Sequence, residues 1–166
     1  MEPPKKKSRS SFGETDESEN SDEINIITET INPLNKKLRY AAHKGNLEFV
    51  RSLIRDGADV NVKIEGKTAL HLAVLKGHTK MINYLIKHNA NIHETSNYHT
   101  TALHYAANIG FFDIVKNLIK EGADVNAKIK GNTCSDGKTA LHLAVQKGHL
   151  VIALTLIYKG ADINAK

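Results

Sequence analysis

Two short motifs recur along this chain in step with each other, and this internal repetition restricts the possible folds more than any other feature. The tetrapeptide Thr-Ala-Leu-His occurs three times, beginning at Thr68, Thr101 and Thr139. A second motif, Gly/Asn-Ala-Asp/Asn, occurs four times at spacings of 32, 33 and 38 residues, beginning at Gly57, Asn89, Gly122 and Gly160. Self-similarity of this kind is typical of stacked repeats. The period is about 33 residues, and an insertion of about five residues falls between Lys128 and Asp136.

Each repeat unit predicts two short helices followed by a turn. In the second unit Thr68 is a natural N-cap for the first helix, and Gly77 is a natural end for it. The second helix carries one apolar stripe at helical spacing, formed by Met81, Ile82, Leu85 and Ile86 and followed by Asn89, which tolerates positive φ. Isolated helices shorter than about 12 residues are marginally stable in water. Stacking of neighbouring units must therefore supply the core.

These motifs resemble the ankyrin repeat family over residues 34–166, about four repeats. Thr-Ala-Leu-His stands where that family has Thr-Pro-Leu-His, and Lys-Gly-His and Gly-Ala-Asp-Val/Ile-Asn follow it. The resemblance implies an all-α solenoid of stacked helix-turn-helix units with hairpin loops, with repeats at about 34–62, 63–95, 96–128 and 129–166. It also implies that the Thr and His of each tetrapeptide hydrogen-bond to each other. The family's glycine between the two helices matches Gly45, Gly77, Gly110 and Gly148.

Both ends of the repeat array depart from this pattern. The first repeat has Lys36-Lys37-Leu38-Arg39 in place of the tetrapeptide, which suits an end-capping repeat with a polar outer face. The last repeat has Val151 and Leu154 where Lys80 and Asn83 are expected to face water. We expect a partner, a second copy of the chain or further repeats to cover these apolar residues; a tolerated exposed patch is the alternative.

Residues 1–33 form an N-terminal tail that differs in composition from the repeats. They contain four basic and eight acidic residues, so the tail carries −4 and residues 34–166 carry +9. Residues 1–23 offer almost no apolar surface to bury and are predicted to be disordered. Lys5, Lys6, Lys7 and Arg9 follow two prolines and resemble a monopartite nuclear localisation signal, with an accidental basic string as the alternative. We therefore expect a nuclear or cytoplasmic protein, or one present in both compartments.

Several other classes of protein are disfavoured. One cysteine allows no disulfide framework and fits a reducing compartment, and no apolar run is long enough to predict a secretion signal or a membrane span. The positive charges of the repeats are spread out with few aromatic residues among them, so binding to nucleic acid is not expected.

Candidate catalytic, cofactor and metal sites also have simpler interpretations. The segment 131–139 resembles a phosphate-binding loop but has five residues between its glycines where that loop needs four. Five of the nine histidines have structural roles in the repeat, and the other four lack a paired cysteine or carboxylate at ligand spacing. Cys134 has no neighbours that would activate a thiolate. We therefore predict no enzyme activity, no cofactor and no metal.

The resemblance implies a non-catalytic interaction module, an adaptor or inhibitor, that binds another protein on a concave face of hairpin tips and first helices. The family's pattern places the contact residues at Lys63, Ile64, Glu65, Lys67, Leu75, Tyr98, His99, Asn108, Lys130, Asp136, Lys138 and Gln146, with Ile129 beside them. Tyr98 is the first expected anchor, because aromatic residues dominate interface energetics. The alternative for each residue is that it merely supports a turn.

Two other functions stay open at this point. One is a regulator similar to the ankyrin inhibitors of Rel-type transcription factors, although those usually have six or more repeats and the hairpin lysines would repel a basic peptide. The other is the ankyrin portion of a larger enzyme or channel.

Overall fold

The computed structural model describes residues 32–130 and 136–165, which form four helix-turn-helix pairs within the compact unit Asn32–Lys166. The helices are α1 (Pro33–Lys44), α2 (Leu47–Arg55), α3 (Ala69–Leu75), α4 (Thr79–Lys87), α5 (Ala102–Ile109), α6 (Phe112–Lys120), α7 (Ala140–Gln146) and α8 (Leu150–Tyr158). Within these residues the only β structure is an isolated bridge between Ile64 and Lys67. The arrangement confirms the predicted all-α solenoid.

Each tetrapeptide closes the start of a first helix. The backbone N–H of the threonine donates to Nδ1 of the histidine three residues later. The three pairs are Thr68 and His71 at 3.2 Å, Thr101 and His104 at 3.3 Å, and Thr139 and His142 at 3.1 Å. Because Nδ1 accepts, the proton of the neutral ring lies on Nε2. Nε2 then donates to the following hairpin, from His71 to the Glu94 carbonyl and from His104 to the Ala127 carbonyl, both at 3.0 Å.

The core runs continuously through the stack. First helices α1, α3, α5 and α7 contact one another in series, and each also packs on the second helix of its own repeat. The largest fully buried apolar side chains are Leu38, Leu70, Met81, Ile82, Leu85, Leu103, Leu118 and Leu156. They come from all four repeats, so burial of the apolar stripes between neighbours supplies the stability that such short helices lack alone.

An asparagine side chain links successive loops after the second helices. The Asn61 amide donates to the Asn89 carbonyl at 2.9 Å and accepts from the Asn91 N–H at 2.7 Å. Asn126 makes the same two bonds to the next loop, at 3.0 and 2.8 Å. Between repeats two and three the equivalent residue is His93, whose side chain makes no such bridge within the described part of the chain.

The first helix of the first repeat begins at Pro33, before its degenerate tetrapeptide, whereas the other first helices begin within the tetrapeptide. Asn32 caps α1 by accepting from the Leu34 N–H at 2.9 Å, and Pro33 occupies the first helical position. Lys36 to Arg39 therefore lie inside a helix of 12 residues, and Leu38 takes the buried place of the tetrapeptide leucine. The helices among residues 32–130 and 136–165 are all too short or too polar to cross a membrane.

Candidate functional site

The face predicted to bind a partner combines the hairpins with the first helices. We call it the hairpin face, and it comprises residues 63–67, 96–100, 129–130 and 136–138 together with α1, α3, α5 and α7. Glu65 and His99 take positive φ values of 50° and 52°, which allows tight turns at the first two tips. The Asn97 N–H donates to the Gly66 carbonyl at 3.0 Å, so neighbouring hairpins are held to each other.

Tyr98 is the most prominent aromatic residue of the second hairpin. Its side chain is 66% exposed, and the Lys67 ammonium lies 5.8 Å from the ring centroid, within the range of a cation–π contact. Buried Ser96 holds this hairpin, since its Oγ accepts from the Tyr98 N–H at 3.3 Å and from the Tyr105 hydroxyl at 3.0 Å. The ring is therefore presented to solvent from a fixed backbone.

A cavity of about 290 Å³ lies beside Tyr98, between repeats three and four. Its lining residues are Tyr98, Thr100, His104, Tyr105, Asn108, Ile129 and Leu143. Pockets for drug-sized ligands are about 300–1,000 Å³, so this cavity lies at the lower end of that range and is large enough for a side chain of a partner. Ile129 is buried here, so it supports the cavity rather than presenting itself to solvent.

Ion pairs and hydrogen bonds fix several of the predicted contact residues. Lys63 pairs with Glu94 at 2.5 Å, and its ammonium holds the pKa of that carboxyl below its usual range. Glu65 pairs with Arg39 of α1. In the third hairpin the Lys138 ammonium donates to the side-chain carbonyl of Gln146 on α7, at 3.2 Å.

The remaining predicted residues lie at different places on the hairpins and first helices. Half-buried Ile64 forms the bridge to Lys67 at the first hairpin. Asn108 lies in the cavity, and half-buried Leu75 lies at the end of α3 on the hairpin face. His99 and Asp136 are exposed in their hairpins. Lys130 lies apart from the Tyr98 cavity, in a separate depression with His93 and Lys128. The structure thus brings Tyr98, Lys67 and Asn108 close to the cavity but separates Lys130 from it.

Histidines beneath and beside the face differ in their electrostatics. Burial lowers the pKa of His71 to about 4, and burial also lowers the pKa of His104, so both rings are neutral near pH 7. On the first-helix surface, desolvation and then the neighbouring Lys76 and Lys44 lower the pKa of His43. His43 therefore lies among basic residues at the C-terminal ends of α1 and α3.

Sequence reasoning missed Tyr105 and Leu143 as part of the site. Both follow a tetrapeptide directly, as Leu72 does in repeat two. Tyr105 packs edge-on against His71, with ring centroids 5.9 Å apart, and its hydroxyl holds the second hairpin. The position directly after the tetrapeptide could have indicated both residues, because the side chain at this position lies on the surface of the first helix, beneath the hairpins.

Some predictions lie outside the described residues. These are the disordered tail, the basic string of Lys5, Lys6, Lys7 and Arg9, and the loop cysteine Cys134. Over residues 32–130 and 136–165, no group of three or more His, Cys, Asp or Glu side chains is arranged to hold a metal ion.

Comparisons with known proteins agree with the repeat pattern. A family model described as ankyrin repeats (3 copies) matches residues 38–129 and 97–166. Among curated relatives, Alpha-latroinsectotoxin-Lt1a of Latrodectus tredecimguttatus is 35% identical over 95 residues, covering 57% of this chain and 7% of that protein.

Two relatives are named for roles in regulation and in ubiquitin transfer. Protein phosphatase 1 regulatory subunit 27 of Homo sapiens is 37% identical over 86 residues, covering 51% of this chain and 56% of that protein. Probable E3 ubiquitin-protein ligase XBOS33 of Oryza sativa subsp. japonica is 38% identical over 95 residues, covering 55% of this chain and 18% of that protein. The chain thus spans only part of each of these relatives.

Ankyrin repeats indicate a protein–protein interaction module and are generally non-catalytic. The family match extends over more than half of the chain, and its two segments coincide with the four stacked helix pairs. The chain belongs to the ankyrin repeat family.

Proposed function

We propose that this chain is a non-catalytic adaptor or inhibitor that binds its partner protein on the hairpin face. The observation that carries the proposal is the fixed, exposed Tyr98 ring beside an apolar cavity, with Lys67 against the ring. Exposed aromatic groups next to a pocket are the usual anchors of protein interfaces.

The charges around the cavity favour an acidic partner segment. The Lys67 ammonium lies against the Tyr98 ring, and the Lys138 ammonium lies in the third hairpin, where it donates to Gln146. A segment with one apolar side chain and neighbouring carboxylates would fill the cavity and complement these charges. The same charges disfavour a basic localisation peptide, and with it a role like that of the Rel-type inhibitors.

One relative supports a regulatory role. The human relative is named as a regulatory subunit, and this chain matches just over half of that protein's length. That likeness supports an adaptor or inhibitor.

Affinity capture with the intact chain tests the proposal. The captured partner should be lost with Tyr98→Ala, which removes the anchor, and with Lys67→Glu, which reverses the charge beside it. Lys116→Glu is the matched control, because Lys116 is an exposed lysine of α6 and lies off the hairpin face. We expect each hairpin variant to weaken binding about tenfold or more and the control to leave it within about threefold. Equal binding by all four proteins would contradict the proposal.

A second candidate is that these repeats form the binding portion of a larger enzyme or channel. It is favoured by the small share of several relatives that the chain spans, 18% for the protein named as an E3 ubiquitin-protein ligase. A full-length transcript sequence tests this candidate. A reading frame that continues into an enzyme or channel domain would support it, and a reading frame without such a domain would contradict it.

We further propose that the basic string in the tail directs the protein to the nucleus. Four cations within five residues, Lys5 to Arg9, support this. The test uses a fluorescent fusion that is too large to enter the nucleus passively. Replacing Lys5, Lys6 and Lys7 by Ala should move this fusion from the nucleus to the cytoplasm. Phosphates on Ser8, Ser10 or Ser11 would each add about −1.5 to −2 charges and weaken the signal. An unchanged distribution after the alanine substitutions would refute the signal.

A further inference from the structure

Three positions of every second helix face solvent in this molecule. They are polar in the first three repeats, where they are Glu48, Arg51 and Arg55; Lys80, Asn83 and Lys87; and Asp113, Lys116 and Lys120. In the last repeat they are Val151, Leu154 and Tyr158, with exposures of 63%, 67% and 84%. These three residues, with Leu150 and Ile157 beside them, form what we call the α8 stripe. The predicted exposure of Val151 and Leu154 is confirmed.

A further stacked repeat would leave most of the α8 stripe uncovered. Repeats two and three have neighbours on both sides, and the equivalent polar residues are nevertheless exposed. Stacking covers a different position, which lies in the first helix three residues before the glycine between the two helices. Val74 and Ala107 are fully buried at this position, whereas the equivalent Val145 of the last repeat is 60% exposed. An added repeat would therefore bury Val145, while Val151, Leu154 and Tyr158 need an occupant that approaches from outside the stack.

The chemistry of α8 suits a copy of itself. No charged residue lies between Leu150 and Tyr158, whereas α2, α4 and α6 all carry several. The one hydroxyl near the centre, that of Thr155, donates to the Val151 carbonyl at 2.7 Å, so it needs no partner from outside. Two copies can therefore pair here without burying a charge of α8 or leaving the Thr155 hydroxyl without a partner, while the Tyr158 hydroxyl lies at the end of the stripe, where it can keep its contact with water.

Charge and size also point to a second copy. Residues 34–166 carry +9 and the whole chain carries +5, so two copies repel each other and approach best at a face with few charges; Lys159, whose ammonium lies 5.5 Å from the Tyr158 ring centroid, is a cation at the end of the stripe. The five side chains of the α8 stripe are 44–84% exposed. Their complete burial in both copies would remove on the order of 1,200 Å² from water, which is the lower limit for a specific, stable interface.

We propose that the chain forms a symmetric dimer in which the α8 stripe of one copy packs on the α8 stripe of another. In a two-fold interface the same patch serves both subunits, as this uncharged helix allows. The hairpin face is not part of this contact, so the proposed dimer does not depend on the proposed function. Each dimer would present two hairpin faces.

Sedimentation of the intact chain over a range of concentrations tests the dimer. The test variant combines Val151→Lys, Leu154→Asn and Tyr158→Lys. These are the residues that repeat two has at the same three positions, where they are compatible with a folded helix. The control is Val145→Lys, which places a charge on the exposed stacking surface instead. Circular dichroism and thermal unfolding establish that both variants fold.

We expect the wild type to dimerise, the triple variant to weaken dimerisation by about tenfold or more, and Val145→Lys to change it by less than about threefold. Added NaCl should maintain or strengthen the wild-type dimer, because it screens repulsion between positive copies. The proposal is overturned if the wild type is monomeric at all concentrations, if only Val145→Lys breaks the dimer, or if salt dissociates it.

Discussion

His71 connects the start of α3 to the next hairpin only while its ring is neutral. Nδ1 accepts from the Thr68 N–H and Nε2 donates to the Glu94 carbonyl. Burial lowers the pKa of the folded ring from 6.5 to about 4. Between these pH values the unfolded chain holds a proton that the folded chain lacks. The free energy of unfolding therefore falls as the pH falls through this window, by up to about 3 kcal/mol for this one residue.

Chemical denaturation at pH 7 and pH 4.5 measures this loss. His71→Gln removes the titrating group, so the variant should be less stable than the wild type at pH 7, by about 1–2 kcal/mol for the lost hydrogen bonds. It should then lose less stability than the wild type on going to pH 4.5. Equal losses in the two proteins would mean that His71 does not contribute to the acid sensitivity.

At the residue scale, the sequence predicts local contacts better than distant ones. The Thr and His of each tetrapeptide are three residues apart, and Asn89 takes the positive φ that its position after a helix predicts. The Arg39–Glu65 pair joins residues 26 apart, and no pattern in the sequence marks them as partners. The structure of the site depends on such distant pairs, which explains why the charges of the hairpin face could not be paired from the sequence.

At the element scale, the loop bridges between repeats are uneven, and one can be restored. Asn61 and Asn126 each make two hydrogen bonds to the next loop, whereas His93 makes neither within the described residues. We expect His93→Asn to raise the free energy of unfolding by about 1 kcal/mol, because an amide can satisfy both groups of the following loop. The measurement is urea denaturation, with Asn126→Ala as the opposite change, expected to lower stability by about 1–2 kcal/mol. A His93→Asn variant no more stable than the wild type would contradict this account of the loops.

The turn between α5 and α6 offers a second test at this scale. Gly110 has φ +96°, and a Cβ there would lie 2.5 Å from Cε1 of His149 in the next repeat. Gly57 has nearly the same φ of +94° but nothing within 4 Å of a Cβ, so it isolates the backbone strain. Alanine at either position costs about 1–2 kcal/mol of strain, and Gly110→Ala should cost at least about 1 kcal/mol more. Thermal unfolding of the two variants gives the difference, and equal costs would exclude the steric contribution.

Element boundaries and faces were predictable only where a local signal marks them. The glycine turns and the two-helix pattern follow from cap residues and apolar spacing. The start of α1 is set by the cap residue Asn32 and by Pro33 at the first helical position. Both residues precede the degenerate tetrapeptide, so the repeat pattern does not mark them as the start of a helix. Lys130 lies apart from the cavity that Ile129 lines, because neighbouring residues of an extended hairpin arm point to opposite sides.

At the scale of the whole molecule, repetition made the stack predictable. The same buried positions recur in every unit, so a period of about 33 residues and two short motifs were enough to predict the order and packing of the helices. The partner follows from no such rule. The side chains at the hairpin tips and directly after each tetrapeptide differ between repeats, because the contacts that hold the hairpins together are made mainly by the backbone. Their chemistry favours an acidic segment with an apolar side chain, and its identity must come from experiment.

Hydrogen–deuterium exchange of the complex with the captured partner tests the central claim most directly. Binding on the hairpin face should slow exchange of backbone amides in residues 63–67 and 96–100 and at the ends of α3 and α5. Exchange in α2, α4 and α6 should change little, because these helices lie away from that face. Slower exchange confined to the second helices, with the two hairpins unchanged, would contradict the claim that the hairpin face binds the partner.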